Sequence, residues 1–188
     1  MTAGVAAPAP ARSRTAPIAI ATWFVAALVL GPWLFTHLPF PGPQLIVLAV
    51  AVAAAFTLSP WLKTLSWPAL FGMHALRLIG IWFLILGTQG LIASSFATRA
   101  GWGDIVAALG AIGLAVAGPR PKSLAYAWNT FGLLDLIVAV ATATLVVSSG
   151  AIPGVEPLTR FPLNLVPTFF VPFFIATHIA IYRKLHAA

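Results

Sequence analysis

Long uninterrupted apolar stretches are the feature that most constrains how this chain can fold. Six such runs are separated by loops rich in Pro and Gly, and they cover about residues 18–36, 44–62, 68–91, 103–118, 123–148 and 163–185. A membrane-spanning helix needs about 20 consecutive apolar residues, and most of the runs reach that length. Because hydrocarbon offers no hydrogen bonds to an exposed backbone, each run must satisfy its own backbone as a helix. We therefore predict an all-α integral membrane bundle of six transmembrane helices, surrounded by a lipid bilayer.

Composition and charge exclude several classes of soluble protein. Hydrophobic residues make up 61% of the 188 residues and charged residues only 7%, against about 25% charged residues in an ordinary soluble domain. The net charge of +7 comes from 10 Lys and Arg against 3 Asp and Glu. These cations are dispersed at the ends of the apolar runs, so no nucleic-acid partner is predicted. The chain has no cysteine, which excludes disulfides, thiolate metal sites and cysteine nucleophiles.

We predict a short tail followed by one membrane domain. Residues 1–17 are rich in Ala and Pro and contain Arg12 and Arg14, so we expect a flexible cytoplasmic tail. Residues 18–188 then form a single transmembrane helical domain. Its fourth run is the shortest, and it can be extended backwards through Ala100 and Trp102 or accommodated by a locally thinner bilayer.

The basic residues predict the orientation of the helices, because Lys and Arg near the ends of spans are retained on the cytoplasmic side. With six spans, Arg99 and Arg160 fall on the outer side. Seven cations fall on the opposite side: Arg12, Arg14, Lys63, Arg120, Lys122, Arg183 and Lys184. This bias predicts that both termini are cytoplasmic and that the protein is a multi-pass protein of the bacterial cytoplasmic (inner) membrane.

Polar residues at membrane depth identify a candidate site, because ionisable side chains there need a partner or water. With a rise of about 1.5 Å per residue, Arg77 and Asp135 lie roughly 15 to 18 Å from the cytoplasmic face, and His74 and His178 lie roughly 10 Å from it. Arg77 and Asp135 are predicted to form an ion pair, which either serves function or only joins two helices in register. The predicted polar site between the third, fifth and sixth helices consists of His74, Arg77, Asn129, Asp135 and His178.

Asp104 follows Gly101, Trp102 and Gly103 at the predicted outer end of the fourth helix. A carboxylate in that place accepts hydrogen bonds from the first-turn N–H groups, so Asp104 is predicted to cap the helix. The three carboxylates of the chain are expected at separate depths. No metal site and no catalytic residue is therefore predicted.

Several segments resemble those of small uncharacterised bacterial membrane proteins. They are residues 127–136, with the sequence AWNTFGLLDL, and residues 167–172, with the sequence PTFFVP and His178 following. Residues 103–105 and 72–80 are similar too. The resemblance spans roughly residues 68–185, and it implies a membrane protein of several spans without an assigned activity.

Three functions are compatible with the predicted site. The first is the handling of a small molecule, ion or proton, since histidine can change its charge near neutral pH. The second is a membrane cytochrome in which His74 and His178, at equal depth on facing helices, ligate haem b; no other cofactor is predicted. The third is a scaffold or accessory subunit of a larger membrane complex, or a homo-oligomer, whose polar residues only lock helices together. An enzyme is the least supported class, because the sequence has no HExxH, GxSxG or phosphate-loop motif.

Overall fold

The structure is a computed structural model, and it describes residues 15–187. The main helices of this part of the chain are α1 (Thr15–His37), α2 (Gly42–Thr57), α3 (Trp67–Thr88), α4 (Ser94–Ala117), α5 (Lys122–Ser148) and α6 (Val166–Ala187). A one-turn helix (Ser59–Leu62) follows α2, and a 3₁₀ turn (Glu156–Thr159) lies between α5 and α6. No β-strand occurs between residues 15 and 187, so the all-α prediction is confirmed for them.

Among the described helices, α1 and α3 to α6 are long and apolar enough to cross a membrane. α2 has only 16 residues, where a span needs about 20, and the one-turn helix Ser59–Leu62 continues it after Leu58. Large apolar side chains stay exposed along the helices, for example Phe56 at 69% and Val116 at 87%. Exposed apolar surface of this kind is more favourable in lipid than in water, as expected for a membrane protein.

The ends of most helices lie close to their predicted positions, and α1 begins three residues early. Residues 15–17, predicted as tail, form its first turn. Pro17 fits there because the first backbone N–H groups of a helix have no partner within the helix. The remainder of the predicted tail, residues 1–14, lies outside the described residues.

The start of α4 was predicted wrongly, at residue 103 instead of Ser94. The structure gives α4 24 residues, so it is long enough to cross a membrane in full and is not a short helix. Gly101 and Gly103 suggested a helix end, but both lie inside α4, where glycine lets neighbouring helices approach closely. A Cβ atom on Gly101 would stand 2.7 Å from the Leu84 side chain, and one on Gly80 would stand 2.5 Å from the Gly101 carbonyl oxygen.

Two apolar clusters join the helices and leave polar residues between them. In one, Phe71 of α3 packs edge-on against Trp128 of α5, with 5.3 Å between ring centroids. In the other, Phe83 of α3 packs against Phe96 of α4 at 5.5 Å. Arg77 lies on α3 midway between Phe71 and Phe83, so the polar site has apolar packing on both sides along α3.

The first turn of α6 is widened. Val166–Phe170 form a π-helical turn, and Pro172, which has no backbone N–H, leaves the Thr168 carbonyl oxygen without its usual helical partner. The turn carries polar contacts to α1: the Trp23 indole donates to the Thr168 carbonyl oxygen at 3.1 Å, and Asn164 Nδ2 donates to the Ala27 carbonyl oxygen at 3.0 Å. These hydrogen bonds attach α1 to the rest of the bundle.

Candidate functional site

The candidate site is built on a segment of α3 that departs from α-helical geometry. Met73–Ile79 form a 3₁₀ segment, in which side chains three residues apart lie directly above one another. His74 and Arg77 therefore project on the same side of α3. Both are completely buried, with 0% exposure, so every polar atom they carry needs a partner inside the protein.

The Arg77 guanidinium joins three helices. Its Nε donates to Asp104 Oδ1 of α4 at 2.7 Å, its Nη2 donates to Asp135 Oδ2 of α5, and its Nη1 donates to the Gly132 carbonyl oxygen of α5 at 3.0 Å. We call Arg77, Asp104 and Asp135 the Arg77 cluster. Each nitrogen of the guanidinium thus has an acceptor, and two of the three acceptors are carboxylates.

The prediction that Asp104 caps a helix is wrong. Because α4 begins at Ser94, Asp104 lies ten residues inside it, or about 15 Å along its axis. Its exposure is only 8%, and its carboxylate binds Arg77 instead of first-turn N–H groups. A predicted fourth helix that began near Ser94 would have placed Asp104 at the depth expected for Arg77. The contact between the two residues could then have been predicted from the sequence.

The formal charge of the Arg77 cluster is −1 when both carboxylates are ionised. The side chains of Arg77, Asp104 and Asp135 are only 1%, 11% and 9% exposed. Water therefore screens them poorly, and an uncompensated charge among them is costly. A bound proton or another monovalent cation can neutralise this excess negative charge.

A second polar layer lies next to the Arg77 cluster, and it consists of His74, His178, Asn129 and Thr177. Asn129 Nδ2 donates to the His178 carbonyl oxygen at 3.1 Å, so Asn129 Oδ1 is left to accept from His178 Nδ1 at 2.8 Å. His74 Nε2 contacts the Thr177 hydroxyl at 2.9 Å. All four residues are completely buried. We call this set the histidine layer.

Each histidine keeps one buried ring nitrogen without a hydrogen-bond partner in the part of the chain that the structure describes. These atoms are His74 Nδ1 and His178 Nε2. The hydrogen bond from His178 Nδ1 to Asn129 leaves His178 Nε2 as a free acceptor. The two imidazoles are adjacent, with 4.3 Å between ring centroids, so the layer holds a pair of nearby unsatisfied nitrogens.

Gly132 connects the histidine layer to the Arg77 cluster. A Cβ atom on Gly132 would stand 3.0 Å from His178 Nε2 and 3.1 Å from Arg77 Nη1. Both groups therefore approach the same bare stretch of α5 backbone, one from α6 and one from α3. Any larger residue at position 132 would push the imidazole and the guanidinium away from it.

Comparison with known proteins gives a family without an activity. The model of a family described as a domain of unknown function (DUF8737) matches residues 42–186. The chain belongs to this family. No curated protein and no solved structure matches it. The DUF8737 match begins after α1 and covers α2 to α6, and it therefore includes the whole Arg77 cluster and the whole histidine layer.

Within the DUF8737 domain, the five residues of the predicted polar site lie in two adjacent layers. Arg77 and Asp135 are in direct contact, and His178 is bonded to Asn129 and packed against His74. Sequence reasoning missed two members, which are Asp104 on α4 and Thr177 on α6. For Thr177 the sequence offered no signal beyond its place next to His178.

The two histidines of the DUF8737 domain do not fit the axial positions of a haem in this arrangement. Axial nitrogens lie about 2 Å from the metal on opposite sides of the macrocycle, which puts the ring centres roughly 6 Å apart. The ring centroids of His74 and His178 are 4.3 Å apart. Between residues 15 and 187, no group of three or more His, Asp or Glu side chains is placed to hold a metal ion.

Proposed function

We propose that this DUF8737 protein spans the bacterial cytoplasmic membrane six times, with both termini in the cytoplasm, and transfers protons or another small cation through the Arg77 cluster. One observation carries the proposal: two buried carboxylates share a single guanidinium. An ion pair whose only role is to hold two helices in a fixed register needs one carboxylate for one arginine. The second carboxylate adds a charge that an exchangeable cation must balance.

The histidine layer supports a proton as the exchanged cation. Imidazole can accept a proton on one ring nitrogen and release one from the other, and His178 Nε2 is a free acceptor beside the guanidinium of Arg77. His74 lies next to His178, and its ring nitrogen Nδ1 is also unpaired. A proton released from the Arg77 cluster therefore has acceptors on its path toward the start of α3, the end that carries the cytoplasmic cations.

Proton transfer is tested with purified protein in liposomes that enclose a pH-sensitive dye, with a potassium diffusion potential as driving force. We expect flux above that of protein-free liposomes, and at least a tenfold loss in Asp104→Asn and in Asp135→Asn. Arg99→Gln is the matched control, because it also removes a charge from α4 but at an exposed position. Flux that equals the protein-free rate, or that survives both Asn substitutions, would refute the proposal.

Topology is tested separately, and the absence of native cysteine makes this simple. In spheroplasts, a membrane-impermeant maleimide should label Ser149→Cys, at the predicted outer end of α5, but not Thr64→Cys, in the predicted cytoplasmic loop. Both positions are exposed, so labelling depends on the side of the membrane alone. Equal labelling of both variants would mean that an even number of the three intervening helices α3, α4 and α5 cross the membrane, and it would refute the proposed topology.

A scaffold is the second candidate, and the three-helix bridge made by Arg77 favours it. In that case the Arg77 cluster only stabilises the bundle, and the protein serves as an accessory subunit or a homo-oligomer. Absence of flux, together with copurification of a larger complex that Asp104→Asn disrupts, would support this function over transport. An absorption spectrum of the same preparation tests haem binding, for which we expect no Soret band.

A further inference from the structure

An apolar cavity in the bundle ends at the Arg77 cluster. Its volume is about 250 Å³, and it lies between α3, α5 and the first turns of α6. Leu76 and Ile79 form its α3 wall, Leu136 its α5 wall, and Phe170 and Phe174 part of its α6 wall. The carboxylate of Asp104 is the charged group in this lining.

The cavity borders a larger depression at the predicted outer end of the bundle. The depression has a volume of about 620 Å³, and it shares Ile79, Pro162 and Leu163 with the cavity. It extends to Glu156 and Arg160 in the loop before α6. The cavity beside Asp104 therefore adjoins the outer end of the bundle, whereas the histidine layer on the other side is completely buried.

The carboxylate of Asp104, the charged residue in the lining of the cavity, has free hydrogen-bonding capacity. Asp104 Oδ1 accepts from Arg77 Nε, and Oδ2 accepts no hydrogen bond within residues 15–187. Because the Arg77 cluster carries an excess negative charge when ionised, a cation in the cavity would be attracted to this oxygen. The remaining walls are apolar, so they offer none of the additional oxygen ligands that a metal cation requires.

We infer that the cavity beside Asp104 binds a small organic cation whose ammonium group pairs with the carboxylate and whose apolar body fills the rest. The size is consistent, because an apolar cavity of about 150 Å³ accommodates benzene, and this one accommodates an aromatic ring with a short amine. The rings of Phe170 and Phe174 suit a cationic head group as well. This inference rests on the proposed function and names the substrate class of the same site.

The test is equilibrium binding to full-length protein in detergent micelles by titration calorimetry, with benzylammonium as the probe and benzyl alcohol as its uncharged counterpart. We expect saturable binding of one benzylammonium per chain and at least tenfold weaker binding of benzyl alcohol. Asp104→Asn should weaken benzylammonium binding at least tenfold and leave benzyl alcohol unchanged.

A second variant fills the cavity without touching the charge. Ile79→Trp places a larger side chain in the wall, and because Ile79 is 37% exposed, the bundle can accommodate it. It should weaken both probes at least tenfold. Val106→Trp, at a 51% exposed position of α4 outside the cavity, should change neither.

Benzylammonium binding that is unaffected by Ile79→Trp, or equal affinity for both probes, would overturn the inference. The same holds if no saturable binding is found. The binding experiment can fail independently of the liposome assay, since it measures no flux. Proton flux without probe binding would support the proposed function and refute only the binding of an organic cation. Probe binding without flux would show that the cavity is a ligand site in a protein that does not transport protons.

Discussion

Asp104→Asn and Asp135→Asn form a double-mutant cycle that tests whether the Arg77 cluster holds one compensating cation. Suppose that a proton neutralises one of the two carboxylates in the wild-type protein. Each single Asn substitution then leaves Arg77 with one ionised partner and a net charge of zero. Asparagine has nearly the shape of protonated aspartic acid, and its oxygen still accepts the hydrogen bond from the guanidinium.

The expected magnitudes follow from the contacts. Each single substitution keeps all three hydrogen bonds of Arg77, so its cost should stay within about 1 kcal/mol, as for replacement of one neutral group by another. The double substitution leaves a guanidinium of 0% exposure without any counter-charge. Removal of the partner from a buried ion pair costs about 3–5 kcal/mol. The coupling free energy between the two positions should therefore be roughly 2–4 kcal/mol.

The measurement is reversible unfolding of the purified variants in mixed micelles by titration with SDS, followed by tryptophan fluorescence. The free energies of unfolding of the wild type, both single variants and the double variant close the cycle. Additive losses of about 2 kcal/mol in each single variant would refute the reasoning, because each carboxylate would then stabilise Arg77 independently and no compensating proton would be needed.

Three further predictions concern individual contacts, two of them tested by the same unfolding assay and the third by proteolysis. Gly132→Ala should lose about 1–3 kcal/mol, because its Cβ would stand 2.7 Å from His178 Cε1 in a packed interior, whereas Gly113→Ala meets nothing within 4 Å and should be neutral or more stable by up to about 1 kcal/mol. Asn129→Ala leaves the buried His178 Nδ1 unpaired and should cost about 1–3 kcal/mol; an unchanged midpoint would show that the imidazole finds another partner. Asn164→Ala removes the hydrogen bond to α1, and we expect faster proteolysis within α1 while the remaining helices keep their protection; uniform protection would contradict the role given to this contact.

The positions of most helices could be predicted from hydropathy alone. For α1, α3, α5 and α6 the predicted ends lie within three residues of the observed ends, because a backbone in lipid must form a helix wherever the side chains are apolar. The exceptions are α2, which ends at Thr57 instead of residue 62, and α4, which begins at Ser94 instead of residue 103. The early start of α4 has a local reason. Its first nine residues include Arg99 and polar side chains, and Gly101 and Gly103 inside it have low intrinsic helix propensity.

The composition of the candidate site could be predicted only in part. His74, Arg77 and Asp135 are evident from the sequence, because charged groups at membrane depth are rare and must be sheltered. Asp104 was assigned to a helix end since its glycine neighbours resemble a loop. Only its packing against Arg77 shows that those glycines make room for a close approach of α3, α4 and α5.

The sequence by itself determined the all-helical class and most of the helix positions. Each of these depends on one residue and its neighbours along the chain, through hydropathy and a fixed rise per residue. The tertiary structure alone decided that two carboxylates meet one guanidinium, that two imidazoles keep free nitrogens beside it, and that a cavity opens onto Asp104. Those features depend on how helices rotate and pack against one another, and that arrangement is set by contacts between residues far apart in the chain.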